Sequence, residues 1–88
     1  MQYTTITEIS EKLIEEHMQA AIHAEDLEGK TFFLNRASGV KTLWSELLYQ
    51  AISFEMSLDK KNEKRRYFIE KEKMFSNILD RNRVFPSD

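Results

Sequence analysis

Gly29-Lys30-Thr31-Phe32-Phe33-Leu34-Asn35-Arg36-Ala37-Ser38-Gly39-Val40 holds both glycines of an 88-residue chain, and the fold turns on how this stretch is read. The single proline, Pro86, lies near the end. Outside the stretch, residues 5–28 and 40–85 contain nothing that stops a helix. Inside it, two conformations fit. Aromatics and Thr, then Ser-Gly-Val, suit a short hairpin with Gly39 in a left-handed conformation. The same residues suit a helical turn from Thr31 to Ala37 closed by Gly39. A short irregular or hairpin-like connector over 29–39 is therefore expected, with the helical turn as its other form.

Upstream, Thr5-Ile6-Thr7-Glu8 reads as a capping box. Ile6, Ile9, Leu13, His17, Ala20, Ala24 and Leu27 recur at spacings of three or four. Ile14, Met18, Ala21 and Ile22 widen that stripe on one flank. The spacing predicts an amphipathic helix over 5–28, ended by Gly29. Downstream, Trp44, Leu47, Ala51, Phe54 and Leu58, with Leu48, Ile52 and Met56 beside them, predict a second helix over 40–57.

Asp59-Lys60-Lys61-Asn62-Glu63-Lys64-Arg65-Arg66 then runs for two turns without an apolar side chain. A core-facing helix cannot skip that much of its stripe, so the chain turns here, with Ser57 or Asp59 capping a third helix over 60–81. Tyr67, Phe68, Lys71, Phe75, Ile78 and Leu79 mark its face. Residues 82–88 are expected to form a frayed tail. The expected fold is all-α: one small three-helix domain spanning 1–88.

A chain of this length buries only about 60% of its unfolded surface, so its core needs help. It has no cysteine, which excludes disulfides and thiolate-bound zinc. Good helix packing, a second copy or a permanent partner remains. No apolar run reaches the ~20 residues of a membrane span. The first residues lack the basic-then-apolar shape of a secretory leader. A cytoplasmic protein with no membrane contact is the expectation.

Chemistry is scarce. Gly29-Lys30-Thr31 looks like the end of a phosphate loop, but Ala24 stands where its first glycine belongs. Glu25, Asp26 and Glu28 would also repel phosphate. His17 and His23 are six apart and point to different faces. Neither has a carboxylate at the spacing of a helical di-metal site. Ser38 has no glycine elbow and no base. No catalytic residue, cofactor or metal is expected.

Two features have functional reach. Lys60, Lys61, Lys64, Arg65 and Arg66 stand against only Asp59 and Glu63, a local charge of +3 in a chain of net charge −2. Tyr67 and Phe68 follow directly. Such a segment suits an acidic protein surface, or alternatively nucleic acid. An eight-residue polar run also reads as a solvated segment carrying no structural load. The second feature is the number of aromatics, more than one small core can absorb. Phe32, Phe33, Trp44, Phe54, Met56, Leu58, Tyr67 and Phe68 are therefore candidates for contact with a partner or a second copy.

Parts of the chain resemble known families. Gly29, Phe32, Phe33, Asn35, Ser38 and Trp44 resemble the second half of a WW module, although its first strand and closing proline are missing. Ala21-x-x-Ala24-x-x-Leu27-Glu28, then Phe33, Ala37 and Trp44, then Tyr67-x-x-x-Lys71-x-x-Met74-Phe75, resemble the ANR family. Those small bacterial proteins restrain AraC-type transcription activators by binding them. The spacing differs before Trp44 and before Tyr67, and the family's Trp, Arg and Cys are Tyr67, Lys71 and Phe75 here.

The reading that results is a non-enzymatic regulator or inhibitor that binds another protein and forms a homodimer. A nucleic-acid-binding regulator using Lys60–Arg66 and a structural assembly subunit are the alternatives.

Overall fold

Three helices make up the computed structural model, which describes residues 1–86. They are α1 (Tyr3–His23), α2 (Leu27–Ser53) and α3 (Leu58–Ile78), followed by a single 3-10 turn at Arg81–Arg83. The fold is all-α, as the spacing predicts. Its internal boundaries are not where the glycines suggested.

The connector expected over 29–39 does not exist as such: the whole stretch lies inside α2. Neither glycine has a positive φ, so neither acts as a left-handed cap or a hairpin corner. The true break is Ala24–Asp26, and the reason is chemical. Asp26 is extended and its carboxylate accepts from the Gly29 amide at 2.7 Å, the geometry of an N-cap. Glu28 follows in the first turn, at the positive pole of the helix. The acidic cluster thus starts a helix. Glycine also suits the corner, since a Cβ at position 29 would be a tight fit, 3.0 Å from the Asp26 carboxylate and 3.3 Å from the Ala24 Cβ.

Lys30 finishes the corner. Its ammonium donates to the Ala21 and Ile22 carbonyls at 3.3 and 2.9 Å, satisfying the end of α1. Gly39 is different: it sits in mid-helix with nothing within 4 Å of where its Cβ would be. A helix-interior glycine costs about 1 kcal/mol relative to alanine.

The start of α1 also differs. Gln2 is the cap residue, with no side-chain bond, and Thr5 lies inside the helix, so the expected capping box is not formed. The buried positions of α1 are Thr7, Ser10, Ile14, Met18 and Ala21. The row Ile6, Ile9, Leu13, read as the centre of its stripe, is displaced to the edge.

Trp44 causes that rotation. It is fully buried, and its indole Nε1–H donates to Thr7 Oγ1 at 2.8 Å. Thr7 Oγ1 in turn donates to the Tyr3 carbonyl at 2.8 Å. Phe68 stacks on Trp44 at 5.1 Å, 7° from parallel, and Phe75 meets it edge-on at 4.7 Å. Ile14, Met18, Leu34, Ala37 and Leu48 complete the core.

The helix expected over 40–57 ends at Ser53, and Phe54–Ser57 forms the turn. Ser57 then caps α3 by accepting from the Lys60 amide at 3.4 Å. The charged segment therefore forms the first two turns of α3. The chain reverses just before it.

Residues 82–86 do not fray. Val84 is 1% exposed within the core, and Arg83 reaches back to the Ile78 carbonyl at 2.8 Å and Glu15 at 3.1 Å. Residues 87 and 88 of the expected tail lie outside the described residues.

Thr7→Val is expected to strand the buried indole N–H and lower unfolding free energy by about 2 kcal/mol, while Thr7→Ser retains most of it. Asp26→Ala should cost about 1 kcal/mol and Asp26→Ser far less. Urea unfolding of the four variants checks both; equal stability of Thr7→Val and wild type would remove Trp44 from its central role.

Candidate interaction surface

The thirteen residues singled out in the sequence divide into three groups. Trp44 is corrected outright: at 0% exposure it cannot touch a partner, and its size and N–H serve the core instead. Phe33 and Phe68 are half-buried and packed on that core. Tyr67 is half-buried, its ring edge-on to Tyr3 at 5.0 Å, with the Lys71 ammonium 5.7 Å above it.

The second group is open. Phe54 and Met56 in the α2–α3 turn and Leu58 just after it are 76%, 95% and 69% exposed. Phe32 is half exposed, edge-on to Phe33 at 5.2 Å, with the Arg36 guanidinium 5.5 Å over its ring.

The third group is the basic segment, and here a second correction applies. Lys64 is structural. Its ammonium pairs with Glu55 at 3.0 Å, lies 3.5 Å from the Ala51 carbonyl and sits 5.5 Å over the Tyr3 ring. It thus ties the start of α3 to the end of α2 and to α1. The bond from Lys64, helped by the Ser57 amide at 3.2 Å, holds the Glu55 carboxyl below its ordinary value. The segment as a whole is therefore not free of structural load. Lys60, Arg65 and Arg66 are exposed and Lys61 half-buried. Among the described residues none of these four has a carboxylate within 4.0 Å.

Helical geometry sorts them further. Lys61 and Arg65, one turn apart, share a face with Ile69, while Lys60 and Arg66 point elsewhere. On that face α2 and α3 diverge around a cleft of about 400 Å³, within the size range of ligand sites. Its lining is Tyr49, Ile52, Ser53, Arg65, Phe68 and Ile69. Tyr49 leans on Phe68 with ring centroids 4.9 Å apart. Arg65 donates to the Asn62 side chain at a long 3.4 Å and keeps most of its donors free. The cleft is an apolar trough with a guanidinium on its rim and Ser53 on the opposite side.

Sequence reasoning singled out Arg65 and Phe68 but not Tyr49, Ile52, Ser53 or Ile69. Ile69 was the available signal: it stands four residues after Arg65 and outside the core stripe of α3. Tyr49 and Ile52 could be joined to it only once the turn at Phe54–Ser57 folds α3 back on α2.

The histidines stay apart. His23 donates from Nδ1 to the Gln19 carbonyl at 2.8 Å, and His17 is half-buried on α1. Among the described residues no three His, Cys, Asp or Glu side chains gather as metal ligands. No described helix is long and apolar enough to cross a membrane.

No family model, curated protein or solved structure matches this chain. The resemblance to the ANR pattern gains nothing from that comparison. Four of its spaced positions, Ala21, Ala37, Trp44 and Phe75, are fully buried, so their spacing reports helix packing. The resemblance to a WW module is overturned, since its residues lie on one helix.

The lowered Glu55 carboxyl fixes a pH dependence. A carboxyl depressed in the folded state adds stability above its ordinary value near 4.5, and the contribution is lost as pH falls through the folded-state value. Lys64→Met should remove this contribution. The variant is expected to be less stable than wild type at neutral pH, with the gap closing as the pH falls from the ordinary carboxyl value through the lowered folded-state one. Thermal unfolding across pH measures it; a constant gap would mean that Lys64 acts through its stem alone.

Proposed function

We propose that this chain is a small non-enzymatic regulatory or inhibitory protein that binds another protein, and that it takes an acidic, apolar segment of that partner into the α2–α3 cleft. The observation that supports this most is Arg65, unmatched by any carboxylate among the described residues, on the rim of a trough floored by Ile52 and Phe68. An apolar side chain in the trough followed by a carboxylate would meet the floor and the guanidinium together. Arg pairs with carboxylates in a bidentate fork, which adds geometric selection to attraction. Lys60, Lys61 and Arg66 would raise the encounter rate with such a segment more than its final affinity. The exposed Leu58, on the Arg65 side of α3, and Met56 in the turn before it would extend the contact.

Nucleic acid is the second reading. The distribution of the cations disfavours it, because they point around α3 instead of lining one groove. A phosphate-tracking surface needs them aligned.

Arg65→Glu combined with Ile69→Asp should leave the circular dichroism spectrum unchanged, since both residues are exposed. Capture from the native host with wild-type and double-variant bait, read by mass spectrometry, should lose a specific protein in the variant. Its isolated complex is expected to weaken at least about tenfold. An unchanged set of captured proteins would exclude the cleft. Binding of duplex DNA with a steep negative dependence on salt would favour the second reading.

A further inference from the structure

We infer that the chain pairs with a second copy of itself through the outer face of the α1–α2 hairpin, the side away from α3. This face is separate from the α2–α3 cleft and stands on different observations. Rotation of α1 toward Trp44 leaves Ile9 and Leu13 at its edge. Leu43 and Leu47 lie opposite them on α2, around an almost wholly apolar groove of about 230 Å³. Leu43 is 61% exposed. Leu43 and Leu47, with the open Phe32 toward one end of α2 and the open Phe54 capping the other, form a row of apolar side chains outside the core, interrupted by Arg36, Gly39 and Gln50.

Four observations favour a second copy as its cover. The first is area. Covering Ile9, Leu13, Phe32, Leu43, Leu47 and Phe54 would remove on the order of 600 Å² per copy, or about 1,200 Å² in all, the lower bound for a specific interface. The second is shape. The chain measures 49 × 24 × 15 Å with a radius of gyration of 14.9 Å, against roughly 12 Å for a compact chain of this length. Stacking two such slabs face to face doubles the thin dimension and makes a four-helix core.

The third is Gly39. It lies on the same side of α2 as Leu43, one turn before it, where nothing inside the chain approaches within 4 Å. A mid-helix glycine with no intrachain reason for it allows close approach of a helix from outside. The fourth is charge. The Trp44–Thr7 and Lys30–Ala21 contacts set α1 and α2 antiparallel in a register that puts Glu16 level with Arg36. A two-fold axis along the helices sets each α1 against α2 of the other copy at the same level. Glu16 then meets Arg36 of the second copy. Arg36 has no carboxylate within 4.0 Å among the described residues of its own chain. The face is thus self-complementary in the sense a two-fold interface requires.

Light scattering and sedimentation equilibrium of the purified chain, with no partner added, test this. The expected mass is twice 10.5 kDa at micromolar concentration. Gly39→Leu, in open space, and Leu43→Asp, at a mostly exposed position, should keep the helical spectrum and each raise the dimer dissociation constant at least about tenfold. Arg36→Glu should weaken the dimer, and Arg36→Glu with Glu16→Arg should restore it. That pair keeps the test sharp even if either bulky variant unfolds. A 10.5 kDa particle at about 100 µM overturns the inference. So does a dimer indifferent to Gly39→Leu, Leu43→Asp and the charge swap. Neither result bears on the α2–α3 cleft, whose test counts captured protein.

Discussion

The Trp44 indole N–H has to be satisfied in a place water cannot reach, and Thr7 Oγ1, 2.8 Å away, satisfies it. This one bond sets the rotation of α1 about its own axis. A threonine is not an apolar residue, yet burying it beside the largest side chain in the core is cheaper than stranding the N–H, which costs about 1–3 kcal/mol. Because Thr7 and Ser10 return their hydroxyl protons to the Tyr3 and Ile6 carbonyls, neither brings an unmet donor into the core. Once Thr7 faces inward, Ile14, Met18 and Ala21 follow at helical spacing, and Phe68 and Phe75 of α3 close on the other sides of the ring. What the bond moves inward it must also move outward. Ile9 and Leu13 leave the centre of the stripe for its edge.

Helix number, class and the existence of a second turn with Ser57 as cap were legible in the sequence, although α2 ends four residues earlier than the spacing predicts. Long breaker-free stretches require helices, and eight polar residues after Leu58 interrupt any core stripe. Ser57 is a natural cap. The polarity of the first turn was not legible, because Glu25-Asp26-Leu27-Glu28-Gly29 has two readings. A glycine after an amphipathic run marks a helix end by frequency, whereas Asp with a following acidic residue marks a helix start by electrostatics. The second reading prevails here because the Asp26 carboxylate can bond the Gly29 amide only when Gly29 is in the first turn. Lys30 then serves the carbonyls of the preceding helix. The phase of α1 was hidden for a related reason: a stripe counted by hydrophobicity skips Thr7 and Ser10, the residues that mark the buried face.

The candidate site was legible only in part. Its charge was visible as a run, but a run along a helix points around the axis, and of the five cations only Arg65 lines the cleft. Its floor is built from residues sixteen or so positions apart across a turn. Ile52 and Phe68 come together only after Phe54–Ser57 reverses the chain. The Val84 insertion was hidden as well, since a lone valine between Arg83 and Phe85 carries no periodicity.

Four cations hold this small fold in register, each linking two elements. Lys30 joins α2 to the end of α1, and Lys41 joins α2 to Glu72 and Ser76 of α3. Lys64 joins α3 to Glu55 before it, and Arg83 joins the last turn to Glu15 of α1. Partly exposed pairs of this kind contribute only about 0–1 kcal/mol each, so they do not make the core stable. Their effect is on alignment. With only Phe75 buried along its length, α3 has little apolar contact to fix where it lies on α2. Lys64 at one end and Lys41 toward the other supply that constraint. They hold Phe68 and Phe75 against Trp44, and in doing so they also keep Arg65 and Ile69 facing Tyr49 across the cleft. The geometry of the candidate site is therefore a consequence of how a weakly hydrophobic third helix is held in place.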